Sequence, residues 1–186
     1  MSHGLFGDAR LYVALLEFDR ELRDERRAEG CDCGGVLHGS DYERKPRGVA
    51  EGKLPAGYGR RFSLCCAREG CRRRATPRSL RFLGRRVYVA AVVVLASAMR
   101  HGLSPRRVAE LRTVVGVSRR TLERWRRWWL EVFVATPFWD GARGQFAEPV
   151  EPGRLPASLL ERFAGDRSGQ LICALRFLSP LSVGWA

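Results

Sequence analysis

The sequence contains very little lysine and no long hydrophobic run. Of its 33 basic residues, only Lys45 and Lys53 are lysines. The longest apolar run, residues 87–99, is flanked by arginines and is shorter than the roughly 20 apolar residues of a membrane-spanning helix. The segment MSHGLFGDARL also lacks the charged stretch and apolar run of a secretory signal. We therefore expect a cytoplasmic protein without a membrane partner, with a buried core helix near residues 86–100.

Acidic residues are scarce in the middle third of the chain. Residues 60–130 contain 19 arginines and 3 acidic residues, whereas the segments on either side are slightly acidic. The net charge of +13 and the pI of about 10.6 therefore arise from this middle segment. Such an imbalance predicts a polyanionic partner. Arginine suits this role, because its planar guanidinium donates two parallel hydrogen bonds to a phosphate or a guanine.

Four of the six cysteines form two close pairs. Cys31-x-Cys33-Gly-Gly and Cys66-x4-Cys71 each lie at a predicted turn beside strand-like sequence. In a zinc ribbon, two such turns supply four thiolates to one tetrahedral ion, and the metal compensates for a small core. We therefore predict that Cys31, Cys33, Cys66 and Cys71 bind Zn²⁺. In a reducing compartment, structural disulfides are not expected.

Three further residues bear on the choice of metal ligands. Cys65 competes with Cys66, which we prefer because it shares one face of the predicted strand with two apolar residues. His38 is an alternative ligand, although a lone histidine near a strand is usually not one. Cys173 lies in an apolar segment and is predicted to be a core residue.

The segment GVSRRTLERWRRWW, residues 116–129, predicts an amphipathic helix with a cationic face. At 100° per residue, an apolar stripe about 80° wide lies opposite an arginine stripe about 60° wide. The apolar stripe consists of Leu122, Trp125, Trp129 and Val132, and the cationic stripe of Arg120, Arg124 and Arg127. Ser104-Pro105 and Ser118 are helix start signals, and Gly116 is a helix stop signal. Residues 86–136 are therefore predicted to form a helix-turn-helix unit.

This unit predicts specific contacts with nucleic acid. The N-terminal residues of the last helix of such a unit face the base edges in the major groove. The predicted contacts there are Ser118, Arg119, Arg120, Glu123 and Arg124. Arginine can read guanine, and glutamate can accept a hydrogen bond from cytosine. Phosphate contacts are predicted for Arg106, Arg107, Arg126 and Arg127, and for the basic strip at residues 60–86, which includes Arg72, Arg73 and Arg74.

The predicted fold is α+β and mainly α. An N-terminal helix over residues 8–27 falls within a segment 1–30. A small zinc ribbon with a basic linker follows at residues 31–80, then the helix-turn-helix unit at 86–136. Residues 137–186 are predicted to form a loop and short helices, and the sequence assigns them no role.

The cysteine-pair ribbon, the segment RRATPRS, the Val/Leu-rich helix and GVSRRTLERW together resemble a known arrangement. They are similar to the N-terminal DNA-binding region of bacterial insertion-sequence transposases and their helper proteins, over roughly residues 31–130. The resemblance implies zinc at the four cysteines and element DNA bound by residues 118–127. It also implies a separate transposase or recombinase subunit as a partner.

The catalytic part of such transposases is not evident in this sequence. Those enzymes cut DNA with acidic residues on a ribonuclease-H-like sheet that holds two metals, but the residues after Trp129 are not strand-rich. We therefore expect a nucleoid-associated, non-enzymatic protein that binds double-stranded DNA, and we leave its dimerisation open. The alternatives are a transcriptional regulator, an RNA-binding protein, or one part of a metal-dependent transposase or nuclease.

Overall fold

The computed structural model describes residues 3–49, 52–83, 88–98 and 104–183, which form an α+β, mainly helical fold. The helices are α1 (His3–Phe6), α2 (Ala9–Ala28), α3 (Ala90–Ser97), α4 (Pro105–Val115), α5 (Arg119–Arg127), α6 (Pro137–Ala142), α7 (Ala157–Leu160) and α8 (Arg167–Leu178). The strands are β1 (Leu37–Gly39), β2 (Tyr42–Glu43), β3 (Arg60–Arg61), β4 (Leu64–Cys66) and β5 (Arg74–Ala75). The 3-10 turns are Phe133–Ala135, Arg143–Gln145, Pro152–Arg154 and Ser179–Ser182.

The strands form two small antiparallel sheets. One has the order β1-β4-β5, with Leu37 opposite Cys66 and Cys65 opposite Arg74. The other pairs β2 with β3 and places Tyr42 opposite Arg61. The first sheet carries the cysteine turns at its end, so it positions the candidate metal centre.

Helix α2 begins one residue after its predicted start. The Asp8 side chain accepts a hydrogen bond from the Arg10 amide at 3.0 Å and so caps the helix. Its buried stripe includes Leu11, Leu15 and Leu16, which recur at the helical spacing of i, i+4 and i+5.

Helix α3 is the buried core helix that the apolar run predicted. Each residue from Ala90 to Ala96 is at most 8% exposed, so the helix is covered on all sides. The predicted helix at 86–100 extends beyond α3. Residues 84–87 and 99–103 lie outside the described part of the chain.

Helices α4 and α5 are separated by a short glycine turn. Ser104 caps α4 by accepting from the Arg107 amide, and Gly116 ends it in the left-handed conformation with a φ of 62°. Ser118 then caps α5 by accepting from the Thr121 amide at 3.3 Å. These local signals place both helix starts where the sequence predicted them.

A π-helical turn, Trp128–Val132, follows α5 and changes the phase of the helix. Trp125 and Trp129 are buried as predicted, but Val132 is 45% exposed. The prediction of Val132 as part of the apolar stripe was therefore wrong. A π turn advances by a smaller angle per residue than an α-helix, so Val132 rotates outward and Phe133 takes the buried position.

One hydrophobic core joins most of the described chain. It takes residues from α2, α3, α4, α5 and α8. On α8 the buried stripe consists of Leu171, Ala174, Leu175 and Leu178. Cys173 falls outside this stripe and is exposed, so its prediction as a core residue was wrong.

Among the described residues, no helix has the length and apolar character needed to cross a membrane.

Candidate metal centre and basic helix face

Two tight turns bring the four predicted cysteine ligands together. In the first turn, the Cys31 amide donates to the Gly35 carbonyl at 3.0 Å, and Gly34 adopts a φ of 78° that favours glycine. In the second turn, the Cys71 amide donates to the Arg68 carbonyl at 3.1 Å. The pairing of β1 with β4 sets the two turns side by side.

The four sulfur atoms are spaced as a metal ion requires. All four Sγ atoms lie within 4.8 Å of one another. Cys31 Sγ is 3.8 Å from Cys71 Sγ, and Cys33 Sγ is 3.5 Å from Cys66 Sγ. A tetrahedral ion with metal–sulfur bonds of about 2.3 Å places its sulfurs about 3.8 Å apart. The four cysteines can therefore hold a metal ion.

Cys65 and His38 lie outside this cluster. The Cys65 sulfur faces the other side of β4 and lies 3.5 Å from the carbonyl oxygen of Arg72. His38 is exposed on β1, opposite Cys65 in the sheet register. Cys66, which the sequence favoured over Cys65, therefore lies in the cluster, because alternate residues of a strand face opposite sides.

The protein groups around the cluster shift the pKa values of its thiols in opposite directions. Hydrogen bonding from the Gly35 amide, helped by the neighbouring thiols, lowers the pKa of Cys33 to about 6. The Arg68 amide acts in the same direction on Cys66, but burial and the Cys33 thiol outweigh it and raise that pKa to about 12. Without a metal, ionisation of the coupled thiols is therefore favoured at Cys33 over Cys66.

Two residues beside the cysteine cluster, Gly35 and Arg68, were not predicted from the sequence to be site residues. A Cβ added at Gly35 would lie 2.6 Å from Cys66 Sγ, so only glycine fits at this position without displacing the sulfur. The Arg68 guanidinium donates to the Cys33 carbonyl at 2.6 Å, and its amide lies 3.4 Å from Cys66 Sγ. Arg68 therefore ties the two cysteine turns together. The second glycine of Cys-Gly-Gly was a signal for Gly35, but no pattern singled out Arg68 among ten nearby arginines.

The sheet that carries the cluster has a very small core of its own. Its buried residues are Leu37, Leu64 and Cys66, with the other three cysteines and Ala75 packed against them. So few apolar side chains bury too little surface to hold a sheet together. A metal ion would supply the missing stabilisation.

The arginines of α4 and α5 differ in their exposure and in their ion-pair partners. Some form ion pairs one helical turn apart: Arg106 with Glu110 at 3.2 Å, Arg119 with Glu123 at 2.9 Å and Arg127 with Glu131 at 4.0 Å. Arg120 and Arg124 are exposed and make no ion pair with any described residue. Arg107 and Arg126 are half-buried. The exposed side of α5 is therefore cationic, and its other side is buried against the core.

The described residues of the basic strip, 60–83, do not form one exposed surface, and residues 84–86 of the predicted strip lie outside the described part of the chain. Arg72, Arg73 and Arg74 are exposed near the second cysteine turn, and Arg73 lies 3.6 Å from Asp32. In contrast, Arg61 and Arg81 are at most 1% exposed. The expectation of phosphate contact was wrong for these two arginines, because Arg61 donates to the Pro77 carbonyl and Arg81 pairs with a buried carboxylate.

Comparison with protein-family models, with curated proteins and with solved structures finds no match to this chain. Its function must therefore be argued from the metal centre and the basic helix face themselves.

Proposed function

We propose that this chain is a zinc-dependent protein that binds double-stranded DNA. The observation that carries the proposal is the two-sided character of α5. Trp125 is 2% exposed on one side of the helix, while Arg120 and Arg124 are exposed on the other. A helix anchored by one face and cationic on the opposite face can enter the major groove of DNA.

In this proposal α4 and α5 form a helix-turn-helix. The left-handed Gly116 and the Ser118 cap leave only a short turn between the two helices. In such a motif the second helix lies in the major groove, while the first crosses the phosphate backbone. Arg106 and Arg107 on α4, and Arg127 at the end of α5, would hold phosphates and set the register.

The four-cysteine sheet acts in this proposal as a zinc ribbon. Closed sites made only of thiolates favour zinc, and the sulfur spacing fits a tetrahedral ion. The bound ion would hold the two cysteine turns together. The exposed Arg72, Arg73 and Arg74 beside them would add phosphate contacts.

The proposal is tested by measuring the affinity of the zinc-loaded chain for duplex DNA at several salt concentrations. We expect Arg127→Ala to weaken binding to all duplexes alike and to reduce the slope of log K against log salt by about 1. Arg143→Ala is the matched control, because Arg143 is also exposed and paired with a carboxylate, that of Asp140, but lies in the 3-10 turn after α6 and not on α5. Equal affinities for the two variants would count against α5 as the DNA-binding helix.

The zinc requirement is tested with a second pair of variants. Cys71→Ser removes a cluster sulfur, whereas Cys65→Ser removes a neighbouring sulfur that faces away. We expect only the first to lose zinc and duplex binding.

The choice between DNA and RNA is tested by competition with structured RNA at equal salt. If the RNA displaces duplex DNA, RNA is the preferred partner. Enrichment of repeat ends among bound genomic fragments would support a mobile-element role beside a separate transposase.

A further inference from the structure

Within the described part of the chain, Arg120 and Arg124 are exposed arginines of α5 that make no ion pair, unlike Arg119 and Arg127. Arg119 is held by Glu123, with 2.9 Å between Nε and Oε1, and Arg127 lies 4.0 Å from Glu131. Across residues 104–183, which the structure describes without a gap, no acidic side chain pairs with Arg120 or Arg124. As far as the structure describes the chain, neither guanidinium group therefore has an ion pair to break before it contacts a ligand.

The rotation of α5 about its axis is fixed by its buried side. Leu122 and Trp125 are each 2% exposed, and Trp125 packs edge-on against Tyr88 with ring centroids 4.9 Å apart. Arg120 and Arg124 are separated by one helical turn and so point to the same side. The free guanidinium pair is thus presented outward by a helix that cannot roll without exposing a tryptophan.

The spacing of this pair limits what it can contact. Four residues of an α-helix span about 6 Å along the axis, and successive base pairs of DNA are about 3.4 Å apart. Two guanidinium groups that extend in parallel from positions one turn apart therefore match bases about two steps apart.

On the basis of the DNA-binding function proposed above, we infer that Arg120 and Arg124 each read one guanine. The two G·C pairs are adjacent or separated by one base pair. Each planar fork donates to guanine O6 and N7, the bidentate contact that distinguishes guanine from other bases. Glu123 does not read cytosine in this arrangement, because its carboxylate is engaged by Arg119.

The experiment is selection of bound sequences from randomised duplexes at about 150 mM salt, with the full zinc-loaded chain. The test variants are Arg120→Ala and Arg124→Ala. Two further variants are controls: Glu123→Gln tests whether Glu123 reads a base, and Arg106→Ala tests the effect of losing one positive charge. We expect the wild-type motif to contain two G·C pairs within three positions. Each arginine-to-alanine change on α5 should erase the preference at one of them and weaken binding of the preferred duplex roughly 10-fold to 100-fold.

The controls give different results if the inference is correct. Glu123→Gln should leave the motif unchanged, and Arg106→Ala should weaken all duplexes without altering it. A selected motif that lacks the guanine pair, or that persists in both arginine variants, would overturn the inference and leave DNA binding intact. Failure of the wild-type chain to bind any duplex would overturn both the inference and the proposed function.

Discussion

Arg81 Nε lies 2.7 Å from Asp19 Oδ2, and both side chains are fully buried. The remaining hydrogen-bonding groups of the pair are also satisfied. Arg81 donates to the carbonyls of Tyr58 and Arg60, and Asp19 accepts from the Leu80 amide at 2.6 Å. The pair therefore connects helix α2 to the segments on both sides of the cysteine-bearing sheet.

Asp19→Asn should strongly destabilise the protein. It leaves the buried Arg81 guanidinium without a compensating charge, and removal of one partner from a buried ion pair costs roughly 3–5 kcal/mol of unfolding free energy. Urea unfolding of the zinc-loaded chain measures this loss. The matched control is Asp24→Asn on the same helix, where the partner Arg23 is in contact with solvent and the loss should be small. Similar midpoints for the two variants would contradict the structural role of the Asp19–Arg81 pair.

The sequence predicted the features that depend on neighbouring residues. Serine caps, the Gly116 stop and the spacing of the cysteines are local signals, and all of them correspond to elements of the structure. The Asp19–Arg81 pair joins positions 62 residues apart, so no local pattern distinguishes Arg81 from an exposed arginine. For the same reason, the buried Arg61 was assigned to a basic surface strip.

Changes of helix phase were likewise not predictable from an ideal helical period. The stripe on α5 was extrapolated to Val132 at 100° per residue, but the π-helical turn interrupts that period.

The side of α8 that faces the core was also not predictable from its sequence, because it depends on packing against α3 and α7. Cys173 was therefore placed in the core on composition alone, and the structure exposes it.

Trp129→Ala should cost much more stability than Trp129→Phe. The Trp129 ring is fully buried and packs against Trp128 and Phe133 with ring centroids 4.7 and 5.0 Å away. Truncation to alanine leaves a large cavity and costs about 3–5 kcal/mol. The indole Nε1 has no hydrogen-bond partner among the described residues, so phenylalanine keeps the ring packing and sacrifices no hydrogen bond. Thermal unfolding compares the two variants, and equal losses would contradict this account of the indole nitrogen.

Metal binding to the cysteine cluster should release protons at neutral pH. Burial and the neighbouring thiols keep the pKa of Cys66 at about 12, and the pKa of Cys71 is also raised by the Cys33 thiol, despite hydrogen bonding from the Arg73 amide. Both are thiols at pH 7 and must lose their protons to become ligands. Calorimetric titration with zinc in two buffers of different ionisation enthalpy measures the protons released. We expect at least two per metal ion, and an affinity that falls as the pH is lowered; an enthalpy independent of buffer would contradict the assignment of these ligands.

Gly35→Ala should weaken metal binding without unfolding the main core. The added Cβ would lie 2.6 Å from Cys66 Sγ and 3.0 Å from the Arg68 Cβ, so the sulfur must move out of its tetrahedral position. Changes just outside a ligand shell typically lower metal affinity about 10-fold to 100-fold, and a zinc chelator in competition measures the shift.

Gly39→Ala is the matched control for Gly35→Ala. Gly39 also lies in the cysteine-bearing sheet, on β1, but has no atom within 4 Å of an added Cβ. If both variants bound zinc as tightly as the unmodified chain, the close approach of Gly35 to Cys66 would play no part in forming the site. A loss confined to Gly35→Ala would instead show that the second glycine of the Cys-Gly-Gly turn is required for the geometry of the metal centre.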